Sequence, residues 1–134
     1  MTERLPTGVL DTSVLIDMAD IPEEALPATA TISAVTLAEL AQGPHLATDA
    51  RQRALRIERL QLVESTFRAL PFDSACARKY GTLVALTLEA GRHPRPRRVD
   101  LMIAATAAAQ DLPLYTRNPG DFAGLDSAVL LIPV

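Results

Sequence analysis

Four acidic residues of this chain stand in settings that surface acids seldom occupy. Asp11 follows the apolar pair Val9-Leu10 and runs directly into Thr12-Ser13, and Glu39 sits between Ala38 and Leu40. Asp100 follows Arg97-Arg98-Val99 and precedes the apolar run Leu101 to Ala105, and Asp121 closes Thr116-Arg-Asn-Pro-Gly-Asp121. Each has an ordinary use by itself. Asp11 or Thr12 can cap a helix, Asp100 can complement a helix dipole for ~0.3–1 kcal/mol, Glu39 can be a solvated helical glutamate, and Asp121 and Asn118 can serve a turn. Brought together they do different chemistry. Two carboxylates ~4 Å apart repel by ~4 kcal/mol at an effective dielectric near 20, so a cluster of three or four requires protons or a cation. Oxygen-only donors suit hard Mg²⁺ or Mn²⁺, and no histidine lies near these acids in the sequence, which disfavours zinc.

The elements that must position these acids can be read in order. A buried strand ends at Asp11, with a helix over 12–18 beginning just after it. A connector over 21–27 has room for one helical turn between prolines. A β-branched strand over 29–33 leads into a helix over 34–42, stopped by Gly43-Pro44. The longest helix spans 48–65, with Ala54, Leu55, Ile57, Leu60, Leu62 and Val63 forming a broad apolar face. A weak strand over 68–72 precedes Asp73, a plausible N-cap for a helix over 74–90, and 91–97 is a loop. The helix over 99–110 is apolar around its circumference and should be buried on most sides. Strands over 112–116 and 128–132 flank the turn-rich segment 117–124. Strands alternating with helices predict an α/β domain whose parallel sheet is covered on both faces. In such a sheet, Asp11 and the loop carrying Thr116 to Asp121 lie beyond the carboxyl ends of strands, where ligands of open α/β sheets bind. Glu39 and Asp100 lie in the opening portions of helices, so all four acids can face one end. A cation held there could lower the pKa of a bound water and clamp the oxygens of a phosphodiester, which is nuclease chemistry.

The bulk composition leaves that reading open and closes others. The chain has 134 residues, 49% hydrophobic and 22% charged, which predicts one globular domain over 1–134 with no linker or repeat. No apolar run reaches the ~18 residues of a membrane span, and Met1 to Pro6 lacks a signal-peptide pattern, so a cytoplasmic location is expected. The single cysteine, Cys76, excludes a disulfide framework and reads as a small apolar filler. Net charge is −3, without the overall basic footprint of a non-specific nucleic-acid binder. Yet all thirteen basic residues but Lys79 are arginine, the side chain suited to bidentate phosphate contacts. The cluster Arg51, Arg53, Arg56 and Arg59 reads as a solvated helix face. Arg92, Arg95, Arg97 and Arg98 cluster at a Pro-rich loop, and of the arginines Arg97, Arg98 and Arg117, the last beyond the fourth strand, are candidates for holding a backbone phosphate near the acids. Neither G-x-G-x-x-G nor a P-loop is present. A haloacid-dehalogenase-like phosphotransferase would need a second aspartate at the position of Ser13.

The ordered motifs Leu-Asp11-Thr-Ser, Ala-Glu39-Leu, Asp100-Leu-Met-Ile-Ala-Ala and Thr116-Arg-Asn-Pro-Gly-Asp-Phe122 resemble those of the PIN-domain ribonucleases, most closely the VapC-type toxins of toxin–antitoxin pairs. The resemblance spans Val9 to about Pro133. It implies a PIN-like three-layer fold with a central, mainly parallel five-stranded sheet, and a Mg²⁺- or Mn²⁺-dependent endoribonuclease. It also implies an antitoxin partner and commonly a toxin homodimer within a toxin–antitoxin hetero-oligomer. By resemblance Asp11, Glu39, Asp100 and Asp121 map onto the acidic quartet, and Thr12 or Ser13, Thr116 and Asn118 onto the polar residues that orient it. A catalytically inactive PIN-like binding module is the alternative. The apolar surface between Leu46 and Val63 is either ordinary core or the seat of a protein partner.

Overall fold

The sheet is built outward from its first strand. β1 (Thr7–Leu10) pairs in parallel with β2 (Thr29–Ser33) on one side and with β4 (Leu114–Thr116) on the other. β3 (Arg68–Leu70) extends the sheet beyond β2, and β5 (Leu131–Pro133) extends it beyond β4. The order is therefore β3-β2-β1-β4-β5 and every pairing is parallel. This computed structural model describes residues 4–134, so the first three residues of the Met1 to Pro6 segment, read as lacking a signal-peptide pattern, lie outside the described residues. The chain winds one way through β2 and β3 and then crosses back to β4, which makes the β1–β4 boundary the topological switch point, the place where open α/β sheets bind ligands.

Two cores follow from the two faces of the central strand. Successive strand residues point to opposite sides, and Val9 and Leu10 are both 0% exposed. Val9 joins Leu83 of α4 (Ser74–Glu89), Leu101 and Ile103 of α5 (Arg98–Ala109), and Leu114 and Phe122. Leu10 joins Val14 and Leu15 of α1 (Thr12–Ile16), Leu40 of α2 (Ala34–Gln42), Val63 of α3 (Ala50–Thr66), and Tyr115. At ~1.5–3 kcal/mol for each large apolar side chain buried, these two layers hold the sheet between helices. The three-layer α/β expectation is met, with a sheet that is wholly rather than mainly parallel. Among the described residues no helix is long and apolar enough to cross a membrane.

Strand ends pass into helices with almost no loop, because polar residues at the junctions cap the helices. Asp11 accepts from the Thr12 amide at 2.9 Å, and Ser33 accepts from the Val35 amide at 3.0 Å. Asp49 and Asp73 cap α3 and α4 through the Gln52 and Cys76 amides, the latter as expected. Cys76 is buried and free, in keeping with its reading as a filler.

Several boundaries differ from the sequence reading. α1 ends at Ile16, and a 3-10 turn, Met18–Asp20, takes over the last part of the expected helix. The fourth strand begins at Leu114, not at 112: Pro113 has no amide to give, and the Leu112 amide bonds to Ala107 at 2.9 Å to close α5. The last strand runs Leu131–Pro133 and not 128–132, because the Ala128 and Val129 amides both turn back to Leu125. Val129 is still buried, so apolar character marked core there but not strand. On α3 only Val63 is buried, while Leu55 is 55% and Leu62 64% exposed.

Candidate active site

Asp11 is at once the cap of α1 and the best-held carboxylate of the molecule. It leaves the end of β1 at the switch point with only 5% of its surface exposed. Its Oδ1 accepts from the Thr12 amide, and its Oδ2 accepts from Ser13 Oγ at 2.8 Å and Thr116 Oγ1 at 2.9 Å. Thr116, the last residue of β4 and fully buried, brings the neighbouring strand's end to the same oxygen. Ser13 Oγ in turn accepts from the Arg117 amide at 3.2 Å, and Thr116 Oγ1 accepts from the Asn118 amide at 3.0 Å. Ser13 and Thr116 thus do orient the acid. Asn118 contributes its backbone to this network, while its side chain is exposed. At Asp11 one oxygen caps α1 while the other is locked by hydroxyls, so capping leaves the carboxylate held toward the strand ends.

Glu39 comes from the second turn of α2, deeper in that helix than its opening. It is half-buried, and Thr12 Oγ1 donates to its Oε1 at 2.6 Å. The same threonine oxygen lies 3.0 Å from Oγ1 of the fully buried Thr36, one turn before Glu39. Burial pushes the Glu39 pKa up, the Thr12 hydrogen bond pulls it down, and the negative charge of Asp11 pushes it up again. Thr36 was missed in the sequence. Its only signal is a polar residue three positions before Glu39 on the same helix face.

Asp100 lies in the first turn of α5, half-buried. Its pKa is pushed up to about 6, by burial first and then by the charges of Asp11, Asp121 and Glu39, against a smaller opposing pull from Arg97. All four acids therefore feel one another at Asp100. Asp121 is exposed, on a 3-10 turn (Pro119–Phe122) anchored by buried Phe122. Arg97, just before α5, is half-buried, and its Nε is buried with no hydrogen-bond partner among the described residues. Arg98 is exposed. Arg117 has structural work: its Nε meets Asp17 Oδ2 at 3.2 Å and its Nη1 donates to the Val134 carbonyl at 2.9 Å. Two of its five donors are thus committed, which leaves it less to offer a phosphate than Arg97 has.

The donor set fits a hard cation in kind, since carboxylates and hydroxyls are all oxygen. Among the described residues no three acid, histidine or cysteine side chains are placed as a ready-made cage. A divalent cation there would take one or two of these carboxylates and complete its shell with water or substrate oxygens. Asp11, with about four lone-pair sites and three hydrogen bonds received, retains capacity for a metal on Oδ1.

Comparison with known proteins agrees with the geometry. The PIN domain family model matches residues 8–126. Ribonuclease VapC5 of Mycobacterium tuberculosis is 40% identical over 131 residues, which cover 96% of this chain and 94% of that protein. The crystal structure of VapBC-5 from Mycobacterium tuberculosis, a member of the VapBC family of toxin-antitoxin systems, superposes with a TM-score of 0.84 over 96% of this chain and 98% of that one, at 40% identity. FitAcB from Neisseria gonorrhoeae follows with a TM-score of 0.73 and 28% identity over 92% of this chain and 95% of that chain.

Proposed function

This chain belongs to the PIN-domain family, and we propose that within it the chain is a divalent-metal-dependent endoribonuclease, the VapC-type toxin of a toxin–antitoxin pair. The observation that carries the reading is the gathering of Asp11 from the end of β1, Glu39 of α2 and Asp121 of the turn after β4 around Asp100 of α5, close enough that the charge of each of the other three acts on Asp100.

Asp11 and Asp100 are the residues to hold the ion, with Glu39 and Asp121 flanking it. Mg²⁺, or Mn²⁺ in its place, would neutralise the cluster and acidify a bound water. Ser13 and Thr116 fix Asp11 so that its carboxylate does not swing away from that position. Glu39, kept as a partly desolvated base by burial and steadied by Thr12, would take the proton of the attacking water. Asp121 is the other candidate for that transfer. Arg97, whose side chain makes no hydrogen bond or salt bridge among the described residues, and exposed Arg98 would hold the backbone phosphate. Arg117 can join them only with its remaining donors. Attack by water and not by the RNA's own 2′-hydroxyl leaves 5′-phosphate and 3′-hydroxyl ends.

An antitoxin is the expected protein partner. Its seat is the apolar surface where Leu46 (61% exposed), Leu55 and Leu62 stay uncovered. Toxin homodimers are expected to complete the hetero-oligomer. Retention of all four acids weighs against an inactive binding module. The test is RNA cleavage by the purified protein with Mg²⁺ or Mn²⁺, beside Asp11→Asn and Asp100→Asn. Wild type should cut and both variants should not, with 5′-phosphate ends on the products. Equal cutting by all three, or cyclic phosphate ends, would overturn the assignment. Expressed alone, the protein should arrest growth, and the neighbouring small gene should relieve that arrest.

A further inference from the structure

A cleft of about 360 Å³ opens beside Glu39, bordered also by Thr12, Ile16, Gln42, Arg56 and Arg59. Its volume falls in the range of about 300–1,000 Å³ typical of ligand sites. Arg56 and Arg59 are three residues apart on α3 and so share a helix face, while Arg51 and Arg53 are exposed. The expectation of a solvated face holds for the latter two and fails for the former two.

The two cleft arginines are not equivalent. Arg56 donates through Nη1 to the Gly43 carbonyl at 2.9 Å, and its stem packs beside Gly43. Arg59 is half-buried, and among the described residues no hydrogen bond or salt bridge engages its guanidinium, the salt bridges there being Arg4–Glu23 and Arg117–Asp17. Neither arginine pairs with Glu39, which the Thr12 hydroxyl holds instead. The cleft therefore has an acid pole at the reaction site and a cationic pole at α3. The Arg59 guanidinium donors are thus unpaired and still accessible in the cleft, open to an anion from outside, and the guanidinium fork matches a phosphate bidentately.

We propose that Arg59 anchors a non-scissile backbone phosphate of the RNA, with the strand lying through this cleft and a neighbouring phosphodiester presented to the acids. The assignment rests on the nuclease reading. Arg59 is a positioning residue, since it holds the strand and does not touch the reacting atoms. It also borders an apolar groove formed by Leu15, Met18, Leu62, Val63 and Phe67, so an acidic side chain of a protein partner is the competing occupant.

The experiment uses the full chain and a fluorescein-labelled, mixed-sequence single-stranded RNA. Anisotropy is read without divalent cation across a salt series, and cleavage is measured separately with Mn²⁺. Arg59→Gln should weaken RNA binding about tenfold at low salt, as expected for one hydrogen-bonded charge. The slope of log K against log salt should become shallower by about 0.7, the value for one single-strand phosphate contact. KM should rise with kcat within about twofold. Arg59→Lys should keep the slope and bind more weakly than wild type, and it carries the test if the Gln variant does not fold. Arg53→Gln should match wild type. An unchanged slope and KM in a folded Arg59→Gln protein overturns the proposal, as does a loss confined to affinity for a protein partner. A wild type that binds RNA but never cleaves it would strike the nuclease reading alone, leaving the anisotropy to judge Arg59.

Discussion

Replacing Asp100 by asparagine should make the metal-free protein more stable while abolishing its activity, and the size of the effect can be worked out. The Asp100 pKa rises from an ordinary 3.8 to about 6. At ~1.36 kcal/mol per unit the ceiling on the folding penalty at pH 7.5 is ~3 kcal/mol. Asp100 is only half-buried, and solvent screening reduces that to ~1.5 kcal/mol. Asparagine also forgoes the favourable interaction of a charge in the first turn of α5, ~0.3–1 kcal/mol, leaving a net gain of about 1 kcal/mol. For a domain of this length that is a rise in Tm of about 3–5 °C. The sign follows from linkage. A carboxyl whose folded pKa is raised favours the folded state below its unfolded pKa and costs stability as pH climbs through 3.8 toward 6. The advantage of Asp100→Asn should thus be largest above pH 7, fall to about a third of that near pH 4.5 and vanish about a unit below 3.8. Calorimetric scans in EDTA at pH 7.5 and 4.5 measure it directly. Mn²⁺ at a hundred times its Kd should then stabilise wild type by ~2.7 kcal/mol and the variant by less, reversing their order. A variant no more stable than wild type at pH 7.5 in EDTA, or one whose gain does not depend on pH, would refute the mutual repulsion on which the site is argued.

Two further outcomes follow from the same geometry. Thr12→Val removes the 2.6 Å hydrogen bond that lowers the Glu39 pKa, so the acid limb of the cleavage pH profile should move to higher pH, while Asp11 keeps its Ser13 and Thr116 donors. An unmoved limb would remove Glu39 from proton transfer. Arg117→Ala releases Asp17 and the Val134 carbonyl, and should cost about 1 kcal/mol in urea unfolding with RNA affinity within about twofold of wild type. A larger loss of RNA affinity than of stability would return Arg117 to the phosphate-binding set.

The acids and the order of strands and helices were legible in the sequence because they are local signals. An apolar pair ending in Asp-Thr-Ser marks a strand passing into a capped helix wherever it occurs, and Asp73 announced its helix in the same way. What was not legible depends on which neighbour covers which face. Leu55 and Leu62 have the spacing of a core face and yet stand in solvent, because α3 lies at the margin of the sheet and buries only Val63. Arg59 shares its helix and its residue type with Arg51 and Arg53. Only the packing of α3 against α2 and the turn over 43–46 assigns it to a cleft and the others to water. Thr36 needed the same knowledge, since its use lies in meeting Thr12 from another element.

The site divides its labour between acids that the fold favours and acids that it strains. Asp11, at the end of β1, receives three hydrogen bonds from groups fixed by α1 and β4, so its position is set by the scaffold before any ligand arrives. Asp100 and Glu39 are held partly out of water beside like charges, which raises their pKa values. A cation arriving among them finds one ligand preorganised and the others already destabilised as free carboxylates, so the stability withheld in its absence returns as affinity when it binds. Filling the cluster with neutral isosteres would make a more stable protein that no longer favours a metal. The strain is therefore expected at the functional edge of the sheet and nowhere else among these acids. Asp17, by contrast, is partnered by Arg117.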